Sequence, residues 1–196
     1  DLTHYIAGPY CTKLMADLGA EVIKIEKPGE GDPARNMGPF PNDIPHPEKS
    51  ALFLHLNTNK KGITLNLNSP TGQKILIELV KDADILVESF KPGTMARWGL
   101  DFETLEKIKP GLVMVSISNF GQYGPYRDFK LSDGVLYAIG GDMYSDGMYQ
   151  REPVKLSVNV ALYEAGSSAA VGIMGAYYGS KYGATGGQHI DISLME

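Results

Sequence analysis

The chain has 196 residues but only one cysteine, Cys11. A single cysteine excludes an intrachain disulfide and a cysteine-rich metal site, and we expect Cys11 to be a small buried residue of a helix. The histidines are equally uninformative about metals, because none of the four stands in a ligand pair such as HxxxH. The sequence therefore predicts no metal centre.

Long apolar runs are also missing. None approaches the roughly 20 residues that a membrane-spanning helix requires, and the chain does not open on a secretory signal pattern. The net charge of −5 argues against nucleic acid as the main partner, because phosphate neutralisation requires a basic face. We expect a cytoplasmic protein without a membrane or nucleic-acid partner, in which a local basic site for one phosphorylated small molecule remains compatible with the composition.

The usual phosphate-binding and nucleophile motifs are absent as well. There is no GxGxxG, no GxxxxGK[ST] and no GxSxG. The Gly-rich segment that contains Gly29 and Gly31 follows a predicted strand but does not open a helix. A conventional dinucleotide site is therefore disfavoured.

What is present is a regular alternation of strands and helices. Apolar periodicity predicts strands over 21–26, 63–67, 84–88, 112–117 and 188–193, and helices over 9–18, from 70 onwards, 102–108, 133–139 and 161–182. A proline-rich stretch, 28–50, is predicted to be irregular. The alternation predicts an α/β fold with an open, mostly parallel sheet flanked by helices.

Three of these strands end in polar, basic or Gly-containing elbows. They read EVIKIEK over 21–27, DILVESFKPG over 84–93 and LVMVSISNFG over 112–121. Because ligands of open α/β sheets bind at the carboxyl edge, these elbows predict one nucleotide-like ligand lying along that edge. Four cations follow the strands or lie in loops, and they are either solvated surface residues or a shared phosphate site: Lys27, Lys91, Arg97 and Lys130.

Several segments together resemble the family III CoA-transferases, which include formyl-CoA transferase, carnitine CoA-transferase and the α-methylacyl-CoA racemases. They are DLTHYIAGPYCTKLMADLGAEVIKIEKPGEGDPAR, NTNKKGITLNL, ADILVESFKPGTMARWGLD, SISNFGQYGPY and TGGQHIDISLME, in family order. The resemblance implies a Rossmann-like domain, a second smaller domain and two interlocked subunits. We expect residues 1–196 to be a single CoA-binding Rossmann-like domain, truncated at both ends and lacking the second domain.

The resemblance also implies where CoA binds, and it implies no metal. Matching motif positions assign CoA contacts to the following residues: Ile6, Ala7, Lys27, Leu65, Asn66, Leu67, Asn68, Ser89, Phe90, Lys91, Arg97, Lys130, Leu131, Ser132 and Asp133. The four cations named above thereby acquire a common role in binding phosphates.

The catalytic carboxylate departs from the family pattern. In the transferases, an aspartate just ahead of the long Ala/Gly helix is the nucleophile, whereas the stretch SVNVALYE over 157–164 contains none. The matching position is Ala161, Leu162 or Tyr163, and the adjacent Glu164 is our expected nucleophile, with an exposed first-turn glutamate as the plain alternative.

The resemblance therefore implies a CoA-transferase that moves CoA between an acyl-CoA and a small carboxylic acid through an enzyme-bound acyl anhydride and thioester. A homodimer or a heteromeric assembly is expected. One alternative is a non-catalytic CoA-binding fragment or the inactive subunit of a heteromeric transferase. A further alternative is an acyl-CoA racemase, but racemases pair a His with an Asp, and this chain has Ser132 at the His position beside Asp133.

Overall fold

The computed structural model describes residues 1–183 and 185–195. In this part of the chain, strands and helices alternate as the sequence predicts. The strands are β1 (Val22–Glu26), β2 (Lys60–Thr64), β3 (Ile85–Glu88), β4 (Val113–Ser118) and β5 (Gln188–Ser193). The helices are α1 (Ala7–Asp17), α2 (Ala51–Leu56), α3 (Pro70–Lys81), α4 (Thr94–Arg97), α5 (Phe102–Ile108), α6 (Asp133–Gly140), α7 (Asp142–Ser145) and α8 (Val160–Tyr182).

All of the strand pairs are parallel. β1 pairs with β2, and β4 lies between β3 and β5. The first residues of the chain join the two groups, because the Ile25 amide donates to the Asp1 carbonyl and the Leu2 amide donates to the Val87 carbonyl, both at 2.8 Å. We call residues 1–3 the first segment. The strands then lie side by side in the order β2, β1, first segment, β3, β4, β5. Numbered along the chain with the first segment as strand 1, this is 3-2-1-4-5-6, the Rossmann order. The predicted parallel α/β sheet is confirmed.

Successive side chains of the central strands point to opposite faces of the sheet and pack into two hydrophobic cores, one on each face. Leu86 and Met114 face a cluster with α3 and α5, whereas Val87 and Val115 face a cluster with α1 and α8. Both faces of the sheet are thus covered, which leaves the carboxyl ends of the strands as the open edge. Cys11 is fully buried in the second cluster, as predicted, and burial raises its pKa to about 12.

Two helix starts were predicted from local chemistry and are confirmed. The Ser69 hydroxyl accepts a hydrogen bond from the Gly72 amide at 3.1 Å, and the Asp101 carboxylate accepts one from the Thr104 amide at 3.0 Å. Each side chain satisfies an amide that the first helical turn leaves free. The short helices α2, α4 and α7 were not predicted, because each is too brief to show apolar periodicity.

The position of β2 differs from the prediction. The alternation over 63–67 predicted the strand there, but β2 covers Lys60–Thr64 and pairs Ile63 with Ile25. The start of the strand is anchored by Lys60, whose Nζ donates to the Pro9 carbonyl at 2.8 Å and to Asn57 Oδ1 at 2.9 Å. Leu67 lies beyond the strand and packs into the first core.

Close packing of α1 on α8 depends on a helical glycine. A Cβ atom at Gly166 would lie 2.5 Å from the Ala7 carbonyl oxygen, which is shorter than any tolerated contact. The small side chains of α8 that follow, Ala169 and Ala170, are buried in the same interface. The predicted role of the Ala/Gly-rich sequence, close approach of a neighbouring backbone, is confirmed at this position. No helix within 1–183 or 185–195 is long and apolar enough to cross a membrane.

We expect Gly166→Ala to lower the free energy of unfolding by about 1–3 kcal/mol, because the added methyl overpacks the contact with α1. Gly175 of the same helix is the matched control, since a Cβ there meets no atom within 4 Å. Gly175→Ala should raise the stability by up to about 1 kcal/mol through helix propensity. Urea denaturation measures both, and equal effects of the two substitutions would contradict the packing argument.

Candidate functional site

A cavity of about 640 Å³ opens at the carboxyl edge of the sheet, where the strand order reverses between the first segment and β3. This is the place at which open α/β sheets bind ligands. Its walls come from five parts of the chain: the turn over 4–8, the elbow over 89–92 after β3, the end of β4 with the loop that follows it, the starts of α6 and α8, and Leu194 after β5. A smaller cavity of about 320 Å³ adjoins it and shares the turn and the elbow.

A buried ion pair holds the turn that forms the first wall. Lys24 Nζ lies 2.9 Å from Asp32 Oδ2, and both side chains are almost completely buried. Lys24 also donates to the Thr3 carbonyl, while Asp32 Oδ1 accepts the Tyr5 amide at 3.1 Å. Tyr5 has a φ of 65°, which a non-glycine residue adopts only when surrounding contacts enforce it. The pair therefore fixes the backbone at the cavity.

A second ion pair, between Arg35 and Glu26, supports the first through the Asp32 backbone. Arg35 binds Glu26 through two hydrogen bonds of 2.8 Å, from Nε to Oε2 and from Nη2 to Oε1. Glu26 Oε2 also accepts the Asp32 amide at 2.7 Å. This planar bidentate arrangement is the strongest geometry available to an arginine–carboxylate pair. It orders the loop after β1, which carries Asp32 to the turn.

The elbow after β3 rests on a buried carboxyl group. Glu88 is 3% exposed, and its Oε2 accepts the Phe90 amide at 2.7 Å. Burial raises the pKa of Glu88 to about 7, the charge of Asp191 raises it further, and hydrogen bonds from Ser116 and the Phe90 amide oppose the shift. The Phe90 ring makes an edge contact with His4, at a centroid distance of 5.7 Å, and so joins the elbow to the turn.

Burial lowers the pKa of His4, and the charge of Lys24 lowers it further. The imidazole is consequently neutral at pH 7. The backbone amide of His4 donates a hydrogen bond to the Ser89 hydroxyl at 2.9 Å, which is a second link between the turn and the elbow. The cavity wall thus combines a neutral aromatic surface with fixed backbone on both sides.

The loop after β4 contributes charge to the opposite wall. Arg127 and Lys130 line the cavity there, and Lys91 lines it from the elbow. Of the acidic lining residues, Asp133 is bound by Lys155, with Nζ 2.6 Å from Oδ2. The unbalanced charge of this wall is positive, so the cavity favours an anionic ligand.

Most of the sequence-predicted CoA contacts meet at these two cavities. Lys27 lines the smaller one, with its Nζ 2.5 Å from Glu30 Oε1. The hydroxyl of Ser132 accepts the Val135 amide at 3.4 Å and begins α6. The predicted residues that line the larger cavity are Ile6, Ala7, Ser89, Phe90, Lys91, Lys130, Leu131, Ser132 and Asp133.

Other predicted site residues lie outside both cavities. Arg97 is exposed on α4, and its Nη2 donates to Thr94 Oγ1 at 3.0 Å. Glu164 is exposed on the first turns of α8 and is not part of either lining. The turn before α3 also lies outside: Leu65, Asn66, Leu67 and Asn68.

Of the three positions that the family pattern left open for a nucleophile, Leu162 is the one that lines the cavity. Ala161 donates its amide to the Tyr137 hydroxyl at 3.3 Å, and Tyr163 packs edge-on against Tyr10. The first turn of α8 therefore presents an apolar side chain to the cavity.

Sequence reasoning missed several lining residues, above all His4, Tyr5, Arg127 and Phe129. His4 and Tyr5 directly follow the first segment, which the sequence also indicates to be the end of a strand, and the carboxyl end of that strand is the signal that could have placed them at this edge. Arg127 and Phe129 stand in a loop without periodicity, and only the fold brings that loop over the cavity.

Comparison with known proteins gives one consistent result. The profile of CoA-transferase family III matches residues 1–196. The chain is 38% identical over 196 residues to succinyl-CoA–D-citramalate CoA-transferase of Chloroflexus aurantiacus, covering 100% of this chain and 48% of that protein. It is 37% identical over 199 residues to the β subunit of succinyl-CoA–L-malate CoA-transferase from the same organism, covering 100% and 47%.

Formyl-CoA:oxalate CoA-transferase of Bradyrhizobium diazoefficiens is 38% identical over 196 residues, covering 100% of this chain and 45% of that protein. Among solved structures, a CAIB/BAIF family protein from Brucella suis superposes with a TM-score of 0.90 at 35% identity, covering 99% of this chain and 51% of that one. The chain thus spans about half the length of the curated relatives it matches.

The raised pKa of Glu88 makes a prediction about stability. The pKa rises from 4.5 to about 7, so between these values the folded state keeps a proton that the unfolded state releases, and stability falls as pH rises through the interval. Relative to Glu88→Gln, the wild type should lose about 3 kcal/mol of unfolding free energy between pH 4.5 and pH 8.

Urea denaturation at several pH values measures this difference. Glu152→Gln removes the same charge at an exposed position and should show no such trend. A stability difference between wild type and Glu88→Gln that stays constant with pH would refute the assignment.

Proposed function

Because this chain belongs to CoA-transferase family III, we propose that it forms the CoA-binding half of an enzyme that moves CoA between an acyl-CoA and a small carboxylic acid. The observation that carries the proposal is the cavity at the reversal of strand order. It joins an apolar surface, from Ile6 to Leu162, with the cations Lys91, Arg127 and Lys130. An acyl-CoA is divided in the same way, into an apolar arm and a phosphorylated nucleotide.

The size of the site supports the same ligand class. The cavity of about 640 Å³ lies within the range of small-molecule sites. The adjoining cavity, with Lys27 on its wall, extends the site for a ligand as long as CoA. The names of the matched relatives pair a CoA thioester with a carboxylic acid, citramalate or oxalate, and this supports an acid as the second substrate.

The proposed chemistry is covalent. An enzyme carboxylate attacks the thioester carbonyl carbon, the carbon–sulfur bond breaks, and an acyl–enzyme anhydride and CoA thiolate result. The thiolate then attacks the enzyme carbonyl of the anhydride, which releases the first acid and forms an enzyme–CoA thioester. The carboxylate of the second acid attacks the carbonyl carbon of that thioester, its carbon–sulfur bond breaks, and a second anhydride and CoA thiolate result. The thiolate attacks the acyl carbonyl of this anhydride, which gives the new acyl-CoA and releases the enzyme carboxylate.

Glu164 is the proposed nucleophile, since it is the carboxylate of α8 that follows Leu162 by two residues. Its side chain is exposed outside the cavity lining, so attack on a bound thioester requires the first turn of α8 to reorient. This placement also favours a second function, a non-catalytic CoA-binding subunit of a heteromeric transferase. One matched relative is named as the β subunit of a CoA-transferase, which supports a heteromeric assembly.

CoA binding tests both functions at once. Isothermal titration with CoA should show saturable binding, and Lys91→Met should weaken it roughly tenfold or more, because a charged hydrogen bond to phosphate is lost. Lys107→Met is the matched control, because Lys107 is exposed on α5 outside both cavities. Absence of binding heat together with an unchanged melting temperature would dismiss both functions.

Exchange of labelled acid into an acyl-CoA separates the two functions. If the proposed transferase mechanism holds, Glu164→Gln should reduce exchange below about 1% of the wild-type rate, because an amide cannot serve as the nucleophile. Glu152→Gln should leave the rate unchanged. Full activity of Glu164→Gln would remove Glu164 from the mechanism, and a wild type that binds CoA without exchange would establish the non-catalytic subunit.

A further inference from the structure

Arg127 lines the cavity and has a buried hydrogen-bond donor without a partner in the part of the chain that the structure describes. Its Nε is inaccessible to solvent and has no hydrogen-bond partner there. The carboxylate of Asp128 lies 3.9 Å from this nitrogen, beyond hydrogen-bonding distance, and 85% of the Asp128 side chain is exposed. Such a solvent-screened contact contributes little, and a buried unsatisfied donor in a native protein requires an explanation.

The loop that carries Arg127 is braced rather than free. The Phe129 amide donates to the Tyr126 carbonyl at 2.8 Å, which closes a turn around Arg127. The rings of Tyr126 and Phe129 lie 5.4 Å apart, and Phe120 contacts both of them. The backbone that carries Arg127 is therefore ordered before any ligand arrives, which lowers the entropic cost of binding, while 38% of the Arg127 side chain is exposed.

Gly93 gives the guanidinium its position against the elbow. A Cβ at Gly93 would lie 3.0 Å from Arg127 Nη2, so a larger residue would push the guanidinium away. Gly93 directly follows Lys91 and Pro92, which also line the cavity. Arg127 thus reaches across the cavity mouth from the loop after β4 to the elbow after β3.

The local charge identifies the ligand class. Lys91, Arg127 and Lys130 bring three positive charges to the cavity, whereas its acidic lining residues are Asp128, which is largely exposed, and Asp133, which is bound by Lys155. A single carboxylate would be neutralised by one of these cations, whereas a phosphate bears more charge and offers several oxygens to a planar guanidinium. The reversal of strand order is also where phosphates of nucleotide ligands lie in this type of fold.

We propose that Arg127 is a phosphate-binding residue of the CoA site and that it acts together with Lys91 and Lys130. This inference rests on the proposed function, since it requires CoA to occupy the cavity. In this proposal a phosphate oxygen of the ligand accepts the hydrogen bond of Arg127 Nε, which has no partner within residues 1–183 and 185–195.

The experiment compares two ligands that share the thiol arm but differ in phosphate. Isothermal titration with CoA and with pantetheine, which has no phosphate, is carried out on wild type, Arg127→Gln and Arg127→Lys. Arg127→Gln should weaken CoA binding by roughly tenfold to a hundredfold, because charged hydrogen bonds are lost, and should leave pantetheine binding unchanged. Arg127→Lys should be intermediate, since it keeps the charge but not the planar fork.

Arg151→Gln is the matched control, because Arg151 is exposed and lies outside both cavities. It should bind both ligands as wild type does, which separates a local contact from a change in net charge. Circular dichroism and thermal unfolding establish that each variant is folded, and Arg127→Lys carries the test if Arg127→Gln does not fold.

Two results would overturn the inference alone: wild-type CoA affinity in Arg127→Gln, or an equal loss of affinity for CoA and pantetheine. Failure of wild type to bind CoA would instead refute the proposed function, and the inference with it.

Discussion

The site depends on one buried interaction, the ion pair between Lys24 and Asp32. Both groups lie in the interior, where an unpaired charge is severely penalised, so loss of either partner would cost about 3–5 kcal/mol. Burial lowers the pKa of Lys24, and Asp32 opposes that shift. What the pair provides is position: Asp32 and Lys24 together hold the backbone of residues 3–5, which lies between the two groups of strands and forms a cavity wall.

This constraint explains why the cavity has the shape it has. The first segment of the chain pairs with β1 on one side and β3 on the other, and the strand order reverses at this point. A crevice at such a reversal is a consequence of topology, because the connections leave in opposite directions. The ion pair holds the crevice open by fixing the turn that leaves the first segment, and the Glu88–Phe90 hydrogen bond fixes the facing elbow.

Features encoded within a few residues could be predicted from the sequence. Ser69 and Asp101 begin helices because their side chains satisfy nearby amides, and the elbow at Ser89–Lys91 follows from a strand ending in polar residues. The register of β2 could not be predicted, because Lys60 is placed by contacts with distant parts of the chain. Arg127 was missed for the same reason, since only the tertiary fold brings its loop to the elbow after β3.

In the proposed function, binding and chemistry fall on different elements, and this bears on how the chain could function without the usual aspartate. The elbows at the sheet edge and the braced loop hold the cations, whereas the first turn of α8 would supply the nucleophile and presents Leu162 to the cavity. An apolar residue there leaves the ion pairs and hydrogen bonds that shape the site untouched. Ligand binding would therefore persist whether or not α8 supplies a carboxylate, and a heteromeric assembly could divide the two roles between its subunits.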